Sequence, residues 1–330
     1  MGKSRESRRH RASEELTERV LRATGARGFE LGPRLQALWG GYGDLWRGEL
    51  STERGVASVI VKDVRPPDDD GTLAHRRKLR SYRVEQSFYA RFAPRLGDRA
   101  RVARAIGLSS SHGALLTVLE DLEQAGYSTQ GRFTSSEVAS SLEWLAAFHA
   151  TFLGESPEEL WKVGTYWHLD TRPAELSRMR EGSLRAGAVA IDHRLSAARF
   201  RTLVHGDAKP DNVCRAGDGN VAFVDFQYVG GGVGVKDVAY LLNSSLAPNE
   251  YEKGLPRWLD AYFAALRAAL APKLEPNELV ALEREWRELF PVAWLDFYRF
   301  LQGWAPGSYD PDPFSEALVK QVLAPPLRKL

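Results

Sequence analysis

Residues 202–227 read TLVHGDAKPDNVCRAGDGNVAFVDFQ, and three side chains in this stretch carry the groups that phosphoryl transfer from a nucleotide requires. Asp207 supplies a carboxylate able to accept the proton of an attacking hydroxyl. Asn212 and Asp225 supply an amide oxygen and a second carboxylate, which suit a magnesium ion held against the phosphates. The spacing is H-x-D-x-x-x-x-N followed by D-F-x. A base and a metal ligand on one loop keep fixed positions relative to the in-line reaction axis. The second carboxylate then arrives from a neighbouring strand, Val221-Ala222-Phe223-Val224, of the same hairpin. Asp218-Gly219, within the turn cluster 216–220, is a strong hairpin signal. This arrangement predicts the catalytic groups near the start of each strand, at one end of the hairpin. Any one aspartate alone would pass for a surface turn residue; the specificity lies in the joint pattern.

The elements that must position these groups are legible in outline. Residues 13–24 read as a short amphipathic helix with Leu16, Val20 and Leu21 on one side, ended by Gly25. Residues 35–39 and 45–50 read as two strands joined by Gly40-Gly41-Tyr42-Gly43. A glycine-rich hairpin such as this lets backbone amides approach phosphates closely. Residues 57–62 form a β-branched strand ending in Lys62, and the turn-rich, acidic stretch 66–71 follows as a loop. A helix is expected over 72–92, with Tyr82, Glu85, Phe88 and Tyr89 recurring at helical spacing. The fully apolar strand 114–119 runs into Glu120-Asp121-Leu122.

Thr134-Ser135-Ser136-Glu137 is a capping-box pattern, and the helix after it carries Val138, Leu142, Leu145, Phe148 and Phe152 on its core stripe. His149, beside that stripe, reads as a structural histidine. Residues 161–168 are aromatic and irregular. Residues 230–234 are a glycine run, expected to be a conformationally permissive loop, leading to a helix capped by Asp237. Two aromatic-rich helices, 250–270 and 278–304, complete the chain's pattern.

Composition narrows the class. The chain has 330 residues, enough for about two domains. Its 45 Lys and Arg against 43 Asp and Glu are too balanced for a nucleic-acid footprint. Cys214 is the one cysteine, so no intrachain disulfide forms, and a cytoplasmic setting is the simplest inference. No apolar run of membrane-spanning length occurs. The basic start, with Lys3, Arg5, Arg8, Arg9 and Arg11 and no apolar segment behind them, reads as a disordered tail over residues 1–12 rather than a secretory signal.

The 202–227 stretch resembles the catalytic core of the aminoglycoside phosphotransferase and choline kinase-like superfamily, relatives of the eukaryotic protein kinases. Gly206, in the middle of His-Gly-Asp, matches those small-molecule kinases, where protein kinases usually carry arginine. Asp225-Phe226-Gln227, in place of Asp-Phe-Gly, resembles the ecdysteroid kinase-like branch. The resemblance covers most of the chain but is specific only in a few motifs. It implies an α+β, bilobal kinase-like fold, with a small antiparallel-sheet lobe over residues 13–121 and a mostly helical lobe over 122–330. It implies ATP and Mg²⁺ as cofactors, Asp207 as catalytic base, and Asn212 and Asp225 as metal ligands. Gly41 and Gly43 would approach the phosphates, and Lys62 would pair with the non-transferred ones. Glu85 would orient Lys62. Glu120 and Leu122 mark the stretch whose backbone would bind the adenine edge, and Lys209 resembles the lysine set against the transferred phosphate. The family role of His205 is to brace the loop, and that of Asp237 is to tie its helix to the loop.

The expected function is therefore phosphorylation of a small-molecule hydroxyl. The connector after Asp225 is too short to offer a platform for a protein substrate. In related kinases the carboxy-terminal helices form part of the acceptor pocket. Trp294, Tyr298 and Trp304 are then candidates for an aromatic wall and Asp296 for binding an amine or hydroxyl. An aminoglycoside kinase, a protein kinase and a catalytically inactive nucleotide-binding regulator remain as alternatives. The partner expected is a small-molecule alcohol, with neither nucleic acid nor membrane.

Overall fold

The structure, a computed structural model, describes residues 13–129, 133–308 and 312–323 in full and the backbone alone over 2–12. The chain packs into two compact units. The first comprises residues 1–95 and 102–128, the second residues 96–101 and 129–330. The division expected from sequence, between 121 and 122, differs by a few residues. It also did not foresee that 96–101 would join the second unit.

The first unit is built on a five-stranded antiparallel sheet, in the order β1-β2-β3-β5-β4. Its strands are β1 (Gly28–Ala37), β2 (Gly43–Thr52), β3 (Gly55–Val64), β4 (Ala105–Ser111) and β5 (Ala114–Glu120), with a short β6 (Tyr127–Ser128) after them. Period-two alternation on the central strand decides its two faces. Val59 and Val61 turn to one side and pack with Leu50, Leu116 and Val118 against Leu16 and Val20 of helix α1 (Gly2–Thr24). The tail expected over residues 1–12 lies outside the residues described in full. Lys62 falls on the opposite face from Val61, on the side of helix α2 (Leu73–Ser87). Thr72 caps α2 by accepting from the His75 N–H at 3.0 Å. The helix closes in a wide π-type turn, Phe88–Phe92, so the helical stretch expected over 72–92 changes pitch in its last turn.

The second unit is mostly helical. Its helices are α3 (Ser135–Thr151), α4 (Pro173–Arg178), α5 (Ser183–Ala186), α6 (Ala188–Ser196), α7 (Val235–Ser245), α8 (Pro248–Leu270), α9 (Pro276–Trp304) and α10 (Pro313–Leu323). The capping box opens α3 as expected, with Glu137 accepting from the Thr134 N–H at 2.5 Å. Two short antiparallel pairs sit among the helices. One joins β7 (Thr202–Val204) to β10 (Gly230–Gly232), and the other is the hairpin of β8 (Val213–Ala216) and β9 (Val221–Phe223). Beneath the hairpin, the Trp144 ring stacks on Phe223 at 4.2 Å, and its Nε1 donates to Arg101 O at 2.9 Å.

Three expectations change here. Gly230–Gly232 is a buried strand rather than a permissive loop. A Cβ on Gly230 would sit 2.2 Å from Trp161 O, so these glycines permit close packing. Asp237 lies in the first turn of α7, whose N-cap is Gly234. Asp225 lies past the end of β9 rather than near a strand start. An antiparallel hairpin brings the start of one strand beside the end of the other, so Asn212 and Asp225 still share one end.

Candidate active site

In the first unit the β3 lysine and the α2 glutamate meet. Lys62 Nζ lies 2.6 Å from Glu85 Oε2, and both residues are buried. Strand and helix supply one side chain each, and the Tyr82 ring lies 5.4 Å from the ammonium. The hairpin between β1 and β2 is closed by Leu38 N–H donating to Gly43 O at 2.8 Å. Gly41 and Gly43 have φ of 77° and 122°, and a Cβ on Gly43 would lie 2.0 Å from Asp63 O. Only glycine fits there. The stretch after β5 is held by Asp121, whose Oδ2 accepts from Ser58 Oγ at 2.7 Å and pairs with Arg47 at 2.8 Å. The Glu120 N–H donates to Arg104 O at 2.9 Å, while the Leu122 carbonyl accepts from Tyr127 N–H at 2.9 Å.

In the second unit the loop after β7 gathers the carboxylates. Asn212 Nδ2 donates to Asp207 Oδ2 at 2.9 Å and to Asp207 O at 2.8 Å. That leaves the Asn212 carbonyl end as the one able to face a cation. Tyr240 OH donates to Asp207 Oδ1 at 3.2 Å, a contact the sequence reading did not foresee. Tyr240 lies three residues past Asp237 on α7, on the same helix face, and that spacing was the available signal. Lys209 Nζ sits 3.8 Å from Asp207 Oδ2. Burial pushes the Asp207 carboxyl up to about 7, against the pull of Lys209 and the two hydrogen bonds, with the Asp225 charge adding to the rise.

His205 braces the loop as a neutral ring. Its Nε2 donates to Val224 O at 3.0 Å and its Nδ1 accepts from the Asp207 N–H at 3.2 Å. Complete burial lowers its pKa, so it stays uncharged. Asp237 ties α7 to the same loop by accepting from the N–H groups of His205 (2.6 Å) and Gly206 (2.9 Å). Its carboxylate also faces His149 Nε2 at 3.1 Å, and His149 Nδ1 meets Tyr262 OH at 2.8 Å. His149 is structural, buried within this chain of bonds. Gly206 has φ of 80°, and a Cβ there would lie 2.3 Å from Tyr228 O, which excludes the arginine that protein kinases carry.

Asp225 has a positive φ of 64°, a strained conformation for a non-glycine residue. Its Oδ1 is buried with no hydrogen-bond partner among the described residues. A buried, unsatisfied carboxylate oxygen fits a hard divalent cation, and the Asn212 amide carbonyl at the same end of the hairpin could supply a second ligand. Cys214 plays no part. It is buried and its thiol is pushed up to about 11.

The aromatic wall expected on α9 is not built as foreseen. Trp294 is buried, and its Nε1 donates to Ser315 Oγ at 2.8 Å. Tyr298 OH donates to Glu316 at 3.0 Å. Both serve the packing of α10 on α9. Asp296 is fully buried and spent on Lys236 Nζ (3.1 Å), Arg299 Nη2 (2.6 Å) and Trp167 Nε1 (2.9 Å), so it cannot take an amine of a ligand. Of the group, only Trp304 is largely exposed, stacked on Phe300.

A strand-borne lysine paired with a helix glutamate, and a His-Gly-Asp loop beside a Phe-flanked aspartate, define a kinase-like fold. The sequence model of the phosphotransferase enzyme family matches residues 34–291, and the chain belongs to that family. Among curated proteins no sequence matches the chain. Among solved structures, the amicoumacin kinase hAmiN, in complex with AMP-PNP, Ca²⁺ and Ami, is 13% identical with a TM-score of 0.55. That match covers 96% of this chain and 95% of that one. The macrolide 2'-phosphotransferase MphH from Brachybacterium faecium is 17% identical over 95% of this chain and 98% of its own, with a TM-score of 0.47. The choline kinase LicA from Streptococcus pneumoniae is 16% identical over 88% and 92%, with a TM-score of 0.44.

Proposed function

We propose that the protein is an ATP- and Mg²⁺-dependent O-phosphotransferase acting on a hydroxyl of a small molecule. The observation that carries this reading is the grouping of Asp207, Asn212 and Asp225 around one end of a hairpin, with the Asp225 Oδ1 left unsatisfied. Asp207 accepts the proton of the acceptor hydroxyl as the acceptor oxygen bonds to the γ-phosphorus and the bond to ADP breaks. Asn212 and Asp225 are the residues that would hold Mg²⁺. When bound, the ion supplies neutralisation of the phosphate charge. Lys62, held by Glu85, pairs with the non-transferred phosphates. Gly41 and Gly43 bring backbone amides to them, and Lys209 faces the transferred group. Glu120 and Leu122 belong to the stretch that takes the adenine edge, Leu122 through its N–H, since its carbonyl is committed to a turn. The hAmiN complex holds AMP-PNP and Ca²⁺, which supports a nucleotide and a divalent cation here, with Mg²⁺ as the proposed ion.

Asp296 and Asp237 are spent on partners within the chain, so neither would serve a polycationic acceptor. Among the described residues no helix is long and apolar enough to cross a membrane. A cytoplasmic setting is part of the proposal and rests on the single cysteine. The test is Mg²⁺–ATP turnover against choline, sugars, aminoglycosides and steroid or other hydrophobic alcohols, in the wild type and Asp207→Ala. The expected result is acceptor-dependent ADP release that the substitution abolishes. A chain that binds no nucleotide would refute the reading.

A further inference from the structure

The catalytic loop has a second support that the sequence motif does not contain. Tyr240 is almost fully buried, and its ring is fixed by Phe297 (4.4 Å between centroids), Trp167 (5.0 Å) and Tyr166 (5.8 Å). Its hydroxyl donates to Asp207 Oδ1 at 3.2 Å and is hydrogen-bonded to the Tyr166 hydroxyl.

Tyr166 is itself placed with strain. Thr165 before it has φ of 105°, and its buried hydroxyl has no partner among the described residues. Thr165 N–H donates to Tyr228 O at 3.1 Å, and Tyr166 N–H donates to Gly206 O at 3.1 Å, in the catalytic loop itself. One bond thus ties the irregular segment to the loop and the other ties it to the stretch after Asp225, and the strained residue places the half-buried Tyr166 beside Tyr240. Strain of this kind persists only where surrounding structure over-determines it, and it clusters at working sites.

We propose that the Tyr166–Tyr240 pair positions the Asp207 carboxylate for proton acceptance. This rests on the reading of Asp207 as the base. Asn212 pins Oδ2 and Tyr240 pins Oδ1, so the carboxylate cannot rotate. Each oxygen keeps a second lone-pair direction for an incoming hydroxyl. A base locked in this way need not be ordered as the transition state forms. Tyr240 is a positioning residue, because it acts on the acceptor only through Asp207.

The experiment compares wild type, Tyr240→Phe, Tyr166→Phe and Asp207→Asn in steady-state Mg²⁺–ATP hydrolysis, with water as the acceptor. Tyr240→Phe removes one oxygen atom and preserves the packed ring. It should lower kcat about tenfold while KM for ATP stays within about twofold, the signature of an interaction needed only for the chemical step. Tyr166→Phe should lower kcat about threefold, because it acts one bond further away. A Tyr240→Phe enzyme with wild-type kcat, or one in which KM rises in step with the loss, overturns the proposal. Asp207→Asn separates the two failures. If it turns over like the wild type, the base assignment itself is wrong. If it is inactive while Tyr240→Phe is fully active, only the positioning role is wrong. A second readout needs no turnover. The ¹³C side-chain carboxyl resonance of Asp207, assigned by its loss in Asp207→Asn, should shift in nucleotide-free Tyr240→Phe, and an unmoved resonance overturns the contact.

Discussion

Two buried aspartates in the second unit share a residue type and a degree of burial, yet stand in opposite electrostatic positions. Burial alone would raise both carboxyls. At Asp296 the charges of Lys236 and Arg299 overcome that rise and hold the group well below the usual carboxylate range. At Asp207 burial wins, because most of its partners are neutral donors and Lys209 is 3.8 Å away and partly solvated. The difference separates a carboxylate whose charge is stabilised by its surroundings from one whose proton affinity is raised. Burial does not make that distinction; the charge of the neighbours does.

The comparison is broken most severely at Asp296. Asp296→Ala strands two cations in the core, and removing one partner of a buried pair already costs about 3–5 kcal/mol. The upper end of that range is expected, read as a fall in the midpoint of chemical denaturation. A midpoint within experimental error of the wild type would show that the cluster adds nothing to stability. Asp207→Ala is expected to do the reverse, lowering kcat about 10³-fold, or ~4 kcal/mol, with the fold intact.

Lys62 sharpens the contrast, because its buried pair with Glu85 is proposed to serve the nucleotide as well as the fold. Lys62→Met leaves Glu85 buried without its lysine. A loss of about 10²-fold in kcat/KM, ~3 kcal/mol, is expected together with a higher KM for ATP. Steady-state kinetics with ATP varied would check it. A normal KM beside a lowered melting temperature would assign the pair to stability alone.

How much of this could be read from the sequence depended on how local the cause was. Asp207, Asn212 and Asp225 flank one hairpin in the sequence, so spacing and turn chemistry bring them to the same end of it. Lys62 and Glu85 are farther apart in the chain, but a strand end and a helical period each named one side chain. Tyr240 was within reach one helical turn beyond Asp237. Tyr166 was not, because its position depends on the strained Thr165 backbone and on bonds to Gly206 and Tyr228. Gly230–Gly232 misled because glycine has little intrinsic preference, and pairing with β7 decides its state. Trp294, Tyr298 and Asp296 misled for a related reason. Periodicity shows that a helix has an apolar face but does not name what covers it, and here α10, Lys236 and Trp167 do.

The smallest expected effect tests the electrostatic claim directly, through stability rather than rate. The Asp207 carboxyl sits at about 7 in the folded chain, against about 3.9 in an unfolded one. A carboxyl with a raised folded pKa disfavours the fold in its ionised form. Below about pH 4 both states are protonated and the penalty is absent. It grows as pH rises between about 4 and 7, and it is complete above that window. Asp207→Asn removes the titration but also gives up one acceptor, since an amide oxygen cannot serve both Tyr240 and Asn212 fully. That loss offsets about 1 kcal/mol. The variant should therefore be more stable than wild type by about 1–3 kcal/mol at pH 8 in EDTA, and equal or slightly weaker at pH 4.5. Urea denaturation at the two pH values measures it. A gain that is the same at both would mean that burial of the charge is not the cause, whereas a gain confined to the higher pH would show that the fold gives up stability to keep its proton acceptor poised.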